Sequence, residues 1–177
     1  MKQKNRTMLH FISKILFASF ILLTACSTPT DDNDLVNNFS KLHSALSPIA
    51  TLLSHSEKGS IIDLRDDEVR IFPDELKNSV TTSMIHSLRN ANITFATHDS
   101  MFNGILFETE SSGIGISGSS SGYIYQLRNG YGKNVDVVEN IQKAFSFKKS
   151  QLNTHESLNI RLVKRIDDLW GVYLETF

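Results

Sequence analysis

Residues 93–128 read ITFATHDSMFNGILFETESSGIGISGSSSGYIYQLR, and their spacing decides the fold. Four β-like runs stand out, at residues 93–97, 105–110, 113–117 and 123–128, rich in Ile, Phe, Tyr and Thr. Turn-forming residues separate them. Ser111-Ser112 and the glycine- and serine-rich stretch 118–122 are the clearest breaks, and Asn129-Gly130 is a strong tight-turn pair. Strands this close together, joined by short turns, make an antiparallel sheet.

The flanks supply helices and two further hairpins. Upstream, Leu35, Phe39, Leu42, Leu46, Ile49 and Leu53 step by four and three, an apolar stripe on one helix face. Pro48 interrupts it, as the start of a second short helix or as a kink. Its use is expected to be packing on its own domain, since it is too short for a convincing coiled coil. Residues 60–64 and 68–72 form a candidate hairpin. Pro73-Asp74-Glu75 opens a helix with Leu76, Val80, Met84 and Leu88 as its buried stripe, ending at Asn90-Ala91-Asn92. Downstream, residues 135–145 read as a helix with Val138, Ile141 and Phe145 on one side, and 146–157 as a loop. Runs 158–166 and 169–177 form a closing hairpin around Asp167-Asp168. Regular strand–helix alternation is missing. The expected class is α+β, a mainly antiparallel sheet with helices packed on one face, in a single domain over residues 35–177.

The first 25 residues obey a different logic. Lys2, Lys4, Arg6 and Lys14 make a positive start with no acid. An apolar run from Ile15 to Ala25 comes next, broken only by Ser19 and Thr24 and too short to span a bilayer core of ~30 Å. Basic start, short apolar core and small residues at its end are the marks of a cleaved export signal. Leu23-Thr24-Ala25-Cys26 resembles the lipobox of bacterial lipoproteins. The resemblance covers the signal only. It implies acylation of the Cys26 thiol, cleavage before it, and a membrane anchor through N-terminal lipid such as palmitate. By the same resemblance Ser27, standing where an aspartate would favour the inner membrane, implies the outer membrane with the domain facing the periplasm. Residues 26–34 read as lipidated cysteine plus polar tether, with a reach of roughly 15 Å.

Cys26 is the only cysteine, so no disulfide can form within the chain, and the domain must stand on its core. Cleavage would leave 152 residues, with 14 Lys and Arg against 19 Asp and Glu and a net charge of −5. An acidic chain without a basic run is a poor nucleic-acid ligand.

The chemical motifs fail on context. Residues 113–118 fit G-x-G-x-x-G, but a dinucleotide turn must lead into a helix, and Tyr-Ile-Tyr stands there instead. Residues 118–122 fit G-x-S-x-G around Ser120, with Asp136 and His155 in triad order, but again a β run succeeds the serine. The histidines show no paired ligand spacing. No catalytic, metal or cofactor set is therefore expected. The candidate binding residues are His98, Asp99, Met101 and Phe102 in the segment before Asn103-Gly104, on the principle that loops on a rigid sheet carry function, and Ser120 in the serine-rich stretch. Glu108 and Glu110 are expected on one strand face, about 7 Å apart, as a wet face. Tyr123 and Tyr125 project to the same side, as core packing or as an aromatic strip.

These readings point to a lipid-anchored envelope protein with a non-enzymatic binding or adaptor domain and an envelope protein partner. The alternatives are a lipid-anchored inhibitor or immunity-type protein, with segments 98–104 and 111–122 as plugs, and an envelope hydrolase using Ser120 or the Glu108/Glu110 pair.

Overall fold

A computed structural model describes residues 31–66, 68–114, 117–127, 129–151 and 159–177. The signal segment 1–25, Cys26 and the next residues to 30 lie outside the described residues. The fold is α+β. One eight-stranded sheet has the order β2-β1-β3-β4-β5-β8-β7-β6. Its strands are β1 (Ile61–Asp63), β2 (Arg70–Phe72), β3 (Phe95–Asp99), β4 (Gly104–Ile114), β5 (Ser117–Gln126), β6 (Asp136–Val137), β7 (Ile160–Arg165) and β8 (Trp170–Thr176). Every pairing is antiparallel except β6 with β7.

Helix α1 (Asp32–Ser54) covers one face of this sheet. Leu35, Phe39, Leu46, Ile49, Ala50 and Leu53 are buried on it, as the stripe in the sequence requires. They meet Ile62, Ala96, Ile105, Phe107, Tyr123, Trp170, Val172 and Leu174 from alternate positions of five strands. Helices α2 (Thr82–Asn90) and α3 (Ile141–Gln151) add Leu88 and Ile141 to the same cluster. All three helices thus share one face. Phe107 stacks on Trp170 at 5.8 Å, Phe39 sits 5.2 Å from the same indole, and Tyr125 meets it edge-on at 5.2 Å. Tyr123 is buried beside Phe39 and donates its hydroxyl to the Leu35 carbonyl at 3.1 Å. Both tyrosines are therefore core, and no aromatic strip faces solvent there.

Several local expectations are corrected. Helix α1 is continuous through Pro48. Proline withholds the N–H that would reach Ser44, but fully buried Leu46, Ile49, Ala50 and Leu53 hold the helix on both sides of it. The helix also begins three residues earlier than the tether reading allowed, because Asp31 caps it through the Asn33 N–H at 3.0 Å. The helix expected from Pro73 is split into a 3₁₀ turn (Asp74–Asn78) and α2, since the Thr81 hydroxyl accepts the Met84 N–H and starts a new helix. Residues 135–145 are not one helix. They give β6 first, and α3 starts only at Ile141 and runs to Gln151 into the stretch expected to be loop. Asn140 sets that start by accepting the Lys143 N–H at 2.7 Å.

The largest correction concerns the serine-rich stretch. Residues 118–122 are strand, not turn. β4 and β5 form one long hairpin with Ile114 opposite Ser117, so runs 105–110 and 113–117 are not separate strands in series. The register puts Ser112 opposite Ser119, and their hydroxyls meet at 2.8 Å. β8 pairs the other side of β5 from Ser119 to Tyr125, which compensates for the low β propensity of serine and glycine.

One ion pair fastens the N-terminal end of α1. Lys164 on β7 reaches the Asp32 carboxylate at 2.8 Å and the Asn33 side-chain carbonyl at 3.1 Å. The Asp32 side chain is 2 % exposed. Removing its cation strands a buried charge, which costs more than the pair contributes. Lys164→Met is expected to lower stability by about 2–3 kcal/mol in urea unfolding. Adding Asp32→Asn should recover much of that loss. A cost below about 0.5 kcal/mol for the single change would mean that water already solvates the pair.

Candidate binding cavity on the open face of the sheet

The face of the sheet away from the helices is only partly covered. Phe102, Leu106, Ile124, Val163 and Tyr173 form a second, smaller cluster there, with Tyr131 and Val135 packed over it. Beyond that cover, the sheet face opens into a cavity of about 320 Å³, the lower end of the range for small-ligand sites. Leu106 and Glu108 on β4, Ser120 on β5, and Tyr173 and Glu175 on β8 line it, alternate positions pointing the same way. Phe95, Thr97 and Asp99 on β3 and Arg65 after β1 add one wall, and Phe177 stands at the other end, half exposed.

A β-bulge creates the key feature. Glu108 pairs with Gly122 and Glu110 with Ser121, so the register slips by one residue between the two acids. A bulge turns successive side chains out of strict alternation. Glu108, still in regular register with Leu106, enters the open-face cavity and is buried, whereas Glu110, past the slip, is exposed and borders a separate cleft beside Leu35 and Tyr123. The expected same-face pair does not exist. Gly122 makes the crossing possible, because a Cβ there would collide with the Phe107 carbonyl oxygen.

The electrostatics are set by burial. Desolvation is the largest influence on Glu108 and raises its pKa, opposed by a hydrogen bond from Ser111, by Arg65 and by the Thr94 hydroxyl. Desolvation also raises Glu175, against the Arg161 guanidinium 2.7 Å away. Burial pushes the Tyr173 hydroxyl far up, so it stays protonated, and Ser120 donates to its oxygen at 3.4 Å. Arg65 stacks over Phe95 at 4.5 Å and grips Asp63 with two donors, at 3.0 and 2.8 Å. That grip, outweighing desolvation, holds Asp63 down at about 2.

The candidate residues from sequence separate. Asp99 and Ser120 line the cavity. His98 points to the helix side, where its Nδ1 lies 3.0 Å from the Ser56 carbonyl. Phe102 is fully buried in the second cluster, and Met101 is exposed with its sulfur accepting from Arg161 at 3.0 Å. Segment 98–104 is not a free binding loop. Asp99 Oδ1 accepts the N–H groups of Met101 and Phe102 at 2.8 and 2.7 Å, and Gly132 donates to the Phe102 carbonyl at 3.0 Å. These bonds fix a tight turn.

Ser120 is no nucleophile elbow, since it lies in mid-strand against Tyr173. Asp136 is paired with Lys148 at 2.6 Å on β6, three strands away. His155 lies outside the described residues. Among the described residues no group of three His, Cys, Asp or Glu converges as a metal site. Sequence reading missed Glu175 and Arg65, and it placed Glu108 only as half of a same-face pair with Glu110. The one available signal was the alternation of Leu106 with Glu108 and of Tyr173 with Glu175, which reads equally well as an ordinary solvated strand face.

Glu108 and Asp63 give the domain two opposed pH dependences. A carboxylate whose folded pKa is raised weighs against folding as pH climbs from its unfolded value, 4.5 for Glu108, through the folded one. Glu108→Gln should therefore unfold at higher temperature than the parent at pH 7, and the difference should close by about pH 4. Equal melting temperatures at pH 7 would mean that water reaches the carboxylate. Asp63 has the opposite sign: its contribution is present above 3.8 and is lost as pH falls towards about 2. Asp63→Asn should cost about 1–2 kcal/mol at neutral pH, discounted because Arg65 is half exposed. That deficit should shrink in acid over the same window.

Comparison with protein-family models, curated proteins and solved structures found no match to this chain.

Proposed function

We propose that this protein is a lipid-anchored lipoprotein of the cell envelope whose domain is a non-enzymatic binding module. The carrying observation is the segment Leu23-Thr24-Ala25-Cys26 at the end of a short apolar run with a basic start. Lipid on Cys26 would hold the domain at the membrane, and two or more acyl chains make such attachment stable, at roughly 0.8 kcal/mol per buried methylene. Ser27 favours the outer membrane, with the domain in the periplasm.

The open sheet face is the binding surface in this reading. Its cavity offers hydroxyls, carboxylates and aromatic walls, and among the described residues no histidine lines it to act as a base for Ser120. The tether is short. Five residues, 27–31, separate the cysteine from α1, an extended reach of about 17 Å. The Lys164–Asp32 pair then fixes the start of α1 to β7, so the domain would work close to the bilayer.

Cys26→Ser should abolish incorporation of labelled palmitate and leave the precursor at full length. Undiminished labelling of the variant would refute the anchor. Fractionation of the parent protein should place the label in the outer membrane, and recovery with the inner membrane would overturn the assignment from Ser27.

A further inference from the structure

Among the described residues, the buried carboxylates are matched to cations with one exception. Asp32 has Lys164, and Asp63 has Arg65 and Arg70. The largely buried Glu175 has Arg161. Glu108, 8 % exposed, has no lysine or arginine within ion-pair distance among the described residues. Its polar contacts are hydroxyls, the Thr94 side chain at 3.4 Å and Ser111. The nearest guanidinium, Arg65, turns two of its donors towards Asp63 instead. Arg65 acts on it only through space, and a carboxylate withdrawn from water with no cation in contact attracts a cation more strongly than one in solvent.

The surroundings select the kind of cation. A metal ion needs several ligands converging on one point, and no such group forms among the described residues. The walls include Phe95, Leu106 and Phe177, with Tyr173 and Ser120 beside the acid. Apolar walls suit an alkyl stem, and since the Arg65 guanidinium already lies over the Phe95 ring, Leu106 and Phe177 are the walls open to it. The volume of about 320 Å³ admits a head group and a short stem.

We propose that the open-face cavity binds a primary alkylammonium group, with Glu108 as its counter-charge and Leu106 and Phe177 along its stem. The inference rests on the reading of this face as the binding surface. The same group could arrive as a free amine or as the side chain of a peptide lysine. The two sources differ only at the far end of the stem, which is a bare alkyl terminus in one and a peptide backbone in the other.

The test is calorimetric titration of the full chain in non-ionic detergent with n-butylammonium, with Nα-acetyl-lysine methylamide and with uncharged n-butanol. The proposal expects binding of at least one ammonium probe, no binding of butanol, and a loss of at least about tenfold in affinity in Glu108→Gln. Tighter binding of the lysine derivative would identify a peptide side chain as the source, and equal or tighter binding of butylammonium would identify a free amine. Phe177→Ala, a change at the half-exposed end of the cavity, should also weaken binding, which guards against a folding defect in the first variant. No heat from either ammonium up to about 10 mM, weaker than any useful affinity, would overturn the proposal. So would unchanged affinity in a folded Glu108→Gln. Neither result touches the anchor, which palmitate labelling reads. Cross-linking of an envelope protein to the open face, lost in Glu108→Gln while both amines fail, would overturn the amine and leave the binding module standing.

Discussion

An eight-stranded sheet has two faces, and the described residues supply one long helix with which to cover them. That imbalance governs the molecule. Helix α1 carries its stripe from Leu35 to Leu53 across the middle strands, and the aromatic group around Trp170 closes the core beneath it. α2 and α3 join the same side. Among the described residues, the opposite face receives the segment around Tyr131 and Val135, which packs over Tyr173, Phe102 and Ile124. A sheet face left half covered must either be polar throughout or hold a concavity, and here it holds one lined by both polar and apolar groups.

A backbone irregularity in β4 parts its two acids. Without the slip between Glu108 and Glu110, strict alternation would put both acids on one side. The bulge instead sends one carboxylate into the cavity and the other to the surface, and glycine at position 122 leaves space for the close approach of β4 and β5. The acid that enters loses water and gains only hydroxyl partners. Desolvated charges of this kind weigh against folding and persist where something else depends on them. The Asp63–Arg65–Phe95 arrangement on one side and Glu175–Arg161 on the other hold neighbouring charges in fixed pairs, while Glu108 and Asp99 both line the cavity.

The proposed anchor and the fold meet at one point. Asp31 caps α1 and Asp32 docks to Lys164, so any pull on the N-terminal segment is delivered to β7 rather than to a loose helix end.

The sequence by itself determined the class of fold and most element identities, because these depend on periodicities carried by neighbouring residues. The four-and-three stepping from Leu35, the hairpins around residues 65–67 and around Asp167, and the strands at 105–110 and 123–128 all belong to that local kind. The same local logic misread residues 118–122 as a turn, since serine and glycine favour turns until partners on both sides supply ladder bonds. It ran the start of α3 too early, because Val135 and Val138 fit a helical period as well as a short strand. Only the tertiary structure decided the site. Glu108, Tyr173, Glu175 and Arg65 come from three separate parts of the chain and share a cavity because β5 lies between β4 and β8. The parting of Glu110 from Glu108 turned on a one-residue slip in pairing, which depends on long-range contacts and leaves no mark in the spacing of the residues themselves.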